Sequence, residues 1–240
     1  TMQEYADAAG LTETISVDGI TTSKGNFNFS GNDNQLAWAG VGQGEDTMCP
    51  INMMQYMGAI ANGGRAAVPR LIHSSSTSFG LPTGIYFAHK SGKLIEEGTA
   101  STIADMMHNN VIETYGQDRF PGMDICAKSG TAEVGDGKTP NAWFTGFLRD
   151  EATPYAFIVL VENGGGGSSV GGTVASQVLL AARERAAQEA EQRRGDLVAF
   201  LAHDLKTPLT SVVGYLTLLH DDPGLAPEQR AKFTGIALDK

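Results

Sequence analysis

Apolar positions recur at helical spacing in two segments of the first half of the chain. The first segment predicts a helix from about 50 to 62, with Pro50 near its start and an "NGG" stop. The second predicts an amphipathic helix over 99–115, ended by Gly116. The apolar residues that define the two stripes are Ile51, Met54, Met57 and Ile60, then Ile103, Met106, Met107 and Val111.

Three short apolar runs that follow the second of these helices are typical of strands. They lie at 124–130, 142–148 and 155–161, and the polar turn "RDEATP" predicts that the last two form a hairpin. The glycine-rich stretch that follows, 163–172, predicts a flexible connection.

From residue 173 to about 219 the pattern is continuously helical, and a last helix is expected to begin near Pro227. A helix longer than about 40 residues is unusual in a globular domain and indicates a bundle or a coiled coil. Its leucine-rich seam supports pairing with partner helices. The seam consists of Leu197, Leu201, Leu205, Leu209, Val212, Leu216 and Leu219.

Composition changes near residue 182 and divides the chain in two. Residues 1–182 carry 26 of the 30 glycines, and the net charge of the whole chain is -10. An acidic chain is a poor partner for nucleic acid, so we expect none. The only two cysteines lack a metal-ligand spacing, so we expect no metal, and no run is apolar enough to predict a membrane span.

The stretch "CAKSGTAE" carries the first candidate chemistry. Lys128 offers a point charge for a carboxylate, Ser129 and Thr131 offer hydrogen bonds, and Gly130 lets a ligand approach the backbone at a sheet edge. Such a tetrapeptide is also common in ordinary turns.

The neighbouring motifs change the balance between these two interpretations. "GQGEDTMCPINMMQYMGAIANGG", "KSGTAE", "NAWFTGF" and "IVLVENGGGGSSVGG" follow one another in residues 1–182, in an order that resembles the C-terminal half of a penicillin-binding protein transpeptidase domain. The resemblance implies a partial α/β sheet-and-helix domain with the lysine triad on an inner strand. It implies that Lys128, Ser129 and Gly130 bind the carboxylate of a D-Ala-D-Ala peptide or a β-lactam, and that the Thr131 N–H belongs to the oxyanion hole.

The family's nucleophile motif, SxxK, does not occur in these 240 residues. "SGN" at 30–32 matches the letters of the second family motif, SxN, but it stands too close to "GQG", so we interpret Ser30 and Asn32 as loop residues. Without that serine no acyl-enzyme is expected.

The second candidate chemistry lies in "HDLKTPL". His203 and Thr207 share a helix face, and Asp204 is adjacent to the histidine, which suits a phosphoryl acceptor. The carboxylate can hold the tautomer that leaves one ring nitrogen free, and Thr207 can orient a water for hydrolysis. Pro208 is expected to bend the helix. A solvent-facing histidine beside a chance kink is the plainer alternative.

Residues 183–240, with "AEQRRGDLVAFLAHDLKTPLTSVVGYLTLL", resemble the dimerisation and phosphotransfer helices of sensor histidine kinases, especially the vancomycin-resistance sensor kinases. The resemblance implies a truncated helical hairpin, a homodimer through 183–240, a response regulator as partner, and His203 as phosphoacceptor assisted by Asp204 and Thr207. It implies ATP only through a kinase domain that these residues do not include, so we expect no cofactor in this chain.

The two resemblances place their parent proteins on opposite sides of the cytoplasmic membrane, and the segment near residue 180 is too short to span it. We therefore expect a chimera of 1–182 and 183–240 that is not catalytically competent alone. The alternatives are a phosphoacceptor module phosphorylated in trans on His203, and a β-lactam-binding transpeptidase.

Overall fold

The computed structural model describes residues 1–27, 32–72, 74–79, 81–85, 87, 89–222 and 224–238. The chain divides into two compact units, Thr1–Ala182 and Arg183–Lys240. The elements of unit 1 are, in chain order, α1 (Met2–Ala8), β1 (Ser16–Val17), β2 (Ile20–Thr21), α2 (Asp33–Gly40), α3 (Pro50–Ala61), β3 (Ser74–Ser76), β4 (Pro82–Ile85), α4 (Glu97–Asn110), β5 (Ile125–Ala132), β6 (Asn141–Leu148) and β7 (Ala156–Val161).

The main sheet contains β5, β6 and β7 in that order, with both pairs antiparallel. These are the three predicted strands and the predicted hairpin. Phe144 on β6 is fully buried, and its ring packs against Tyr115, Phe120 and Phe157 at centroid distances of 5.3–6.1 Å. The aromatic cluster therefore anchors the sheet from one face.

The expectation that the lysine triad lies on an inner strand is wrong for the described sheet. Among the strands that the structure describes, β5 pairs only with β6 and forms the edge. On the opposite side of β5, the main-chain N–H and C=O groups form no hydrogen bonds with any strand that the structure describes.

The two predicted helices α3 and α4 pack together against the other face of the sheet. Their shared core is closed by apolar residues of the helices and of β5 and β6, namely Met57, Ile60, Ala104, Met107, Cys126 and Phe147. The predicted 99–115 helix changes character at Val111–Tyr115, where a π-helical turn widens it, and it ends at Gly116 with φ +87°. That wider turn carries Tyr115 into the core beneath β5.

Three features of unit 1 differ from the sequence-based expectations. The helices α1 and α2 lie within the polar, glycine- and asparagine-rich residues 1–45, whose "GNFNFSGNDN" segment predicts a loop. Trp38 flanks an apolar segment of the sequence, which favours a place in the core, yet it is 53% exposed. The 163–172 stretch, predicted to be a flexible connection, contains a π-helical turn at Gly167–Gly171 whose two glycines are buried.

Unit 2 consists of most of α5 (Gly172–Asp221), whose first residues belong to unit 1, and of α6 (Pro227–Leu238). The predicted long helix is confirmed, and it continues through Pro208. The rings of Tyr215 and Phe233 stack at 5.7 Å and join α6 to α5. Within the described residues, no helix combines the length and the apolar character that crossing a bilayer requires.

Candidate functional site

The strand β5 changes from buried to accessible in its middle. Ile125, Cys126 and Ala127 are fully buried, whereas Lys128 and Thr131 are exposed. The residues from Lys128 to Ala132 line a cleft of about 430 Å³, together with residues such as Phe27, Asp46, Met48 and Trp143. All four predicted substrate-binding residues therefore line one cleft.

Ser129 is held at the edge of β5 by the buried phenol of Tyr115. The Ser129 N–H donates to the Tyr115 hydroxyl oxygen at 2.9 Å, and the Tyr115 hydroxyl donates to Ser129 Oγ at 3.1 Å. The Lys128 ammonium donates to the Ser129 carbonyl at 2.5 Å. The first main-chain groups of the edge are thus already occupied by side chains.

Thr131 lies two residues further along and faces the same side, because main-chain direction alternates along a strand. Its carbonyl accepts from Gln43 Nε2 at 3.0 Å, and its Oγ1 accepts from the Gly167 N–H at 3.2 Å. No hydrogen bond of the Thr131 N–H occurs on that side within the described residues. The edge therefore presents one main-chain donor next to Lys128.

The glycines of the triad and of the 163–172 loop permit close packing behind the site. A side chain at Gly130 would meet Trp143 Cβ at 3.3 Å, and one at Gly167 would lie 2.2 Å from the Gly130 carbonyl oxygen. Arg119 fixes the loop, because its guanidinium donates to the Ser168 carbonyl at 2.9 Å and to Thr173 Oγ1 at 3.0 Å. The strand and the loop therefore form one packed support.

Burial changes the acidity of two groups near β5. Desolvation raises the pKa of the Asp46 carboxyl, whose Oδ2 is buried without a partner among the described residues. Asp46 also lines the cleft. Burial also raises the pKa of the Cys126 thiol to about 11, so this thiol stays protonated at neutral pH.

The asparagine of the "SGN" sequence caps a helix. Asn32 is the N-cap of α2, and its side-chain oxygen accepts from the Gln35 N–H at 2.8 Å. Ser30 lies outside the described residues. The capping role agrees with interpreting Asn32 as a non-catalytic residue.

The second predicted site lies in unit 2 on α5. The His203 side chain is 81% exposed, and its Nδ1 lies 3.5 Å from Asp204 Oδ1. Nδ1 faces the carboxylate, whereas Nε2 has no hydrogen-bond partner among the described residues. Thr207 follows one helical turn later, and its side chain lies outside the described part of the structure.

Three residues that support β5 or the adjoining loop were missed by sequence reasoning, namely Gln43, Tyr115 and Arg119. Each forms a hydrogen bond with a residue 14 to 88 positions away in the chain, so the spacing of residues in the sequence does not predict these contacts. Within the described residues no group of three or more histidines, cysteines or carboxylates could hold a metal ion.

Two families match separate parts of the chain. Residues 1–180 match the penicillin binding protein transpeptidase domain, and residues 193–239 match the His Kinase A (phospho-acceptor) domain.

Relatives and solved structures follow the same division. The sensor protein VanSC of Enterococcus gallinarum is 61% identical over 57 residues, which cover 24% of this chain and 16% of that protein. The peptidoglycan D,D-transpeptidase PbpA of Mycobacterium tuberculosis is 27% identical over 132 residues, which cover 54% of this chain and 27% of that protein. The crystal structure of M. tuberculosis PBPA superposes with a TM-score of 0.69 at 23% identity, covering 75% of this chain and 45% of that one. The chain thus spans well under a third of the curated relatives it matches.

Proposed function

The chain belongs to the penicillin-binding protein transpeptidase domain family through residues 1–180, and residues 193–239 match a phospho-acceptor domain. We propose that its β5 cleft binds the carboxylate end of a D-Ala-D-Ala peptide or a β-lactam without forming a covalent bond. Lys128, Ser129 and Gly130 would hold the carboxylate. The Thr131 N–H would hold the carbonyl oxygen next to it.

One observation carries the proposal. The exposed Lys128 and the Thr131 N–H, which has no hydrogen-bond partner among the described residues, line the same cleft. The cleft size of about 430 Å³ suits a small ligand. A cation and a main-chain donor on one strand match a carboxylate that is followed by an amide carbonyl. Gly130 and Trp143 line the same cleft.

The proposed binding is non-covalent because acyl transfer in this family requires the serine and lysine of SxxK. No SxxK occurs in the 240 residues, and Ser129 is committed to Tyr115 by two hydrogen bonds. The Ser129 hydroxyl accepts from the phenol, and among the described residues it donates to no base that could remove its proton.

Isothermal titration with N-acetyl-D-Ala-D-Ala tests the proposal. We expect binding to the wild-type chain, loss of binding in Lys128→Ala, and partial retention in Lys128→Arg, because the ligand needs a cation at this position. The mass of the intact chain should not change after incubation with penicillin G. Equal affinity of wild type and Lys128→Ala, or a covalent penicillin adduct, would contradict it.

The second candidate function, phosphorylation of His203 in trans, is favoured by the exposed imidazole with its carboxylate neighbour. The chain would pair with a second copy through 183–240 and would pass the phosphoryl group to a response regulator. Incubation with labelled ATP and the ATP-binding domain of a related sensor kinase should label the wild type and leave His203→Gln unlabelled. Equal labelling of both variants would place the phosphoryl group elsewhere.

A further inference from the structure

The outer edge of β5 is closed by side chains rather than by a strand. Tyr115 occupies the N–H of Ser129, Lys128 occupies the Ser129 carbonyl, and Gln43 occupies the Thr131 carbonyl. A peptide that adds along such an edge needs those main-chain groups for itself. The three contacts therefore stand where a ligand's own hydrogen bonds would form.

Gln43 is placed there by the end of a helix. After α2, the Gly42 N–H donates to the Ala39 carbonyl at 2.9 Å and the Gln43 N–H donates to the Trp38 carbonyl at 3.0 Å. This pair of bonds is the Schellman arrangement, which requires the positive φ of +77° that Gly42 adopts. Gly44, with φ +96°, turns the chain away again, so the two glycines present the intervening glutamine to the strand.

The Gln43 side-chain amide donates to a main-chain carbonyl as a peptide N–H would. Its Nε2 donates to the Thr131 carbonyl at 3.0 Å across 88 positions of sequence, and the contact is exposed to solvent. An exposed side-chain hydrogen bond of this kind is weak because water competes for both groups, so an incoming N–H donor can displace it. The neighbouring Thr131 N–H needs no displacement, because it has no partner on this side within the described residues.

We propose that Gln43 is a specificity-determining residue of the β5 cleft, which competes with the amide N–H of a peptide ligand for the Thr131 carbonyl. This inference rests on the proposed binding of a carboxylate-ended peptide to the same cleft. Gln43 lowers the affinity for every ligand that must donate to that carbonyl and leaves unchanged the affinity for ligands that use only Lys128 and the Thr131 N–H. It thus selects against ligands that rely on strand-like pairing alone.

The experiment compares wild type, Gln43→Ala and Gln43→Met, in which methionine keeps the side-chain length without a donor. The full-length chain is titrated with N-acetyl-D-Ala-D-Ala and with the same peptide methylated at both amide nitrogens. We expect both variants to bind the first peptide about fivefold more tightly, the equivalent of one hydrogen bond of about 1 kcal/mol. The affinity for the methylated peptide should not change. Gln192→Met, on an exposed part of unit 2, is the matched control and should behave as wild type.

NMR without ligand tests the contact between Gln43 and Thr131 independently of peptide binding. The carbonyl carbon resonance of Thr131 should move in Gln43→Ala and Gln43→Met, whereas that of Ser129 should stay. Binding of the unmethylated peptide with unchanged or weakened affinity in both variants would overturn the role of Gln43 and leave the proposed function standing. Failure of wild type and both variants to bind either peptide would remove the proposed function, and the inference with it.

Discussion

The β5 cleft and the His203 site differ in what holds them in place. The residues of β5 are supported by contacts from distant segments, with Tyr115, Gln43 and the Gly167 loop all bonded to the strand. His203 stands on one helix, 81% exposed, and its described partner is the residue next to it. The comparison indicates that the first site depends on tertiary packing and the second on local helical structure.

The apolar surfaces of the two units show the same contrast. Unit 1 has a hydrophobic core around Phe144, which is fully buried. In unit 2 the seam residues Leu197, Leu205 and Leu209 are each 58% exposed. A stripe of that kind is typical of a helix that packs against partner helices. A core mutation should therefore affect only the first site.

The largest expected effect comes from Phe144→Ala. Removing a fully buried ring that contacts three other aromatic rings should destabilise unit 1 by about 3–5 kcal/mol. Hydrogen exchange followed by mass spectrometry, which reports peptides of each unit separately, should show lost protection in β5 and β6. Peptides around His203 should exchange as in wild type; a parallel loss there would contradict the independence of the two sites.

Alanine at two glycines should have opposite effects in the two units. At Gly167 a new methyl group would lie 2.2 Å from the Gly130 carbonyl oxygen, so Gly167→Ala should destabilise unit 1 by about 1–3 kcal/mol. At Gly195, inside α5, nothing lies within 4 Å, so Gly195→Ala should stabilise the helix by about 0.5–1 kcal/mol. Chemical denaturation of each variant measures both; effects of equal sign would refute the contrast.

The Cys126 thiol should make the stability of unit 1 depend on alkaline pH. Its pKa is about 11 in the folded chain because it is buried, so the unfolded state loses its proton at lower pH. The contribution is complete below the unfolded pKa and falls as pH rises toward 11, by at most about 1.4 kcal/mol per pH unit. Urea denaturation at pH 8, 9 and 10 should show this decline relative to Cys126→Ala. A pH-independent difference between the two chains would argue against it.

A comparably small effect is expected from Tyr115→Phe. The ring still fills its place beside Phe144, but the Ser129 N–H loses its acceptor, which costs about 1 kcal/mol. The amide of Ser129 should exchange several times faster, while the Phe144 amide should keep its protection. Unchanged exchange at Ser129 would show that the phenol does not hold the strand edge.

The sequence predicted the elements whose pattern is strong and local. The helix at 50–61, the three strands of the sheet and the long α5 all have clear apolar periodicity. The helix α2 was missed because it is short and follows a glycine- and asparagine-rich segment that is typical of a loop. Its exposed Trp38 was wrongly expected in the core, since an aromatic residue next to apolar neighbours usually packs inside.

The site was predictable as far as its motif residues and no further. Lys128, Ser129, Gly130 and Thr131 share a cleft as expected, whereas their roles in binding remain predictions. The contacts of Tyr115 and Gln43 with the strand could not be predicted, because they depend on how a π-helical turn and a helix end are placed in three dimensions. The edge position of β5 likewise follows only from the sheet topology.

The backbone amide proton of Thr131, followed by NMR while N-acetyl-D-Ala-D-Ala is added, tests the binding of a carboxylate-ended peptide to β5 most directly. We expect a saturable downfield shift at Thr131, with smaller shifts at Lys128 and Ser129 and none around His203. A titration that perturbs residues outside the cleft while the Thr131 resonance stays in place would contradict it.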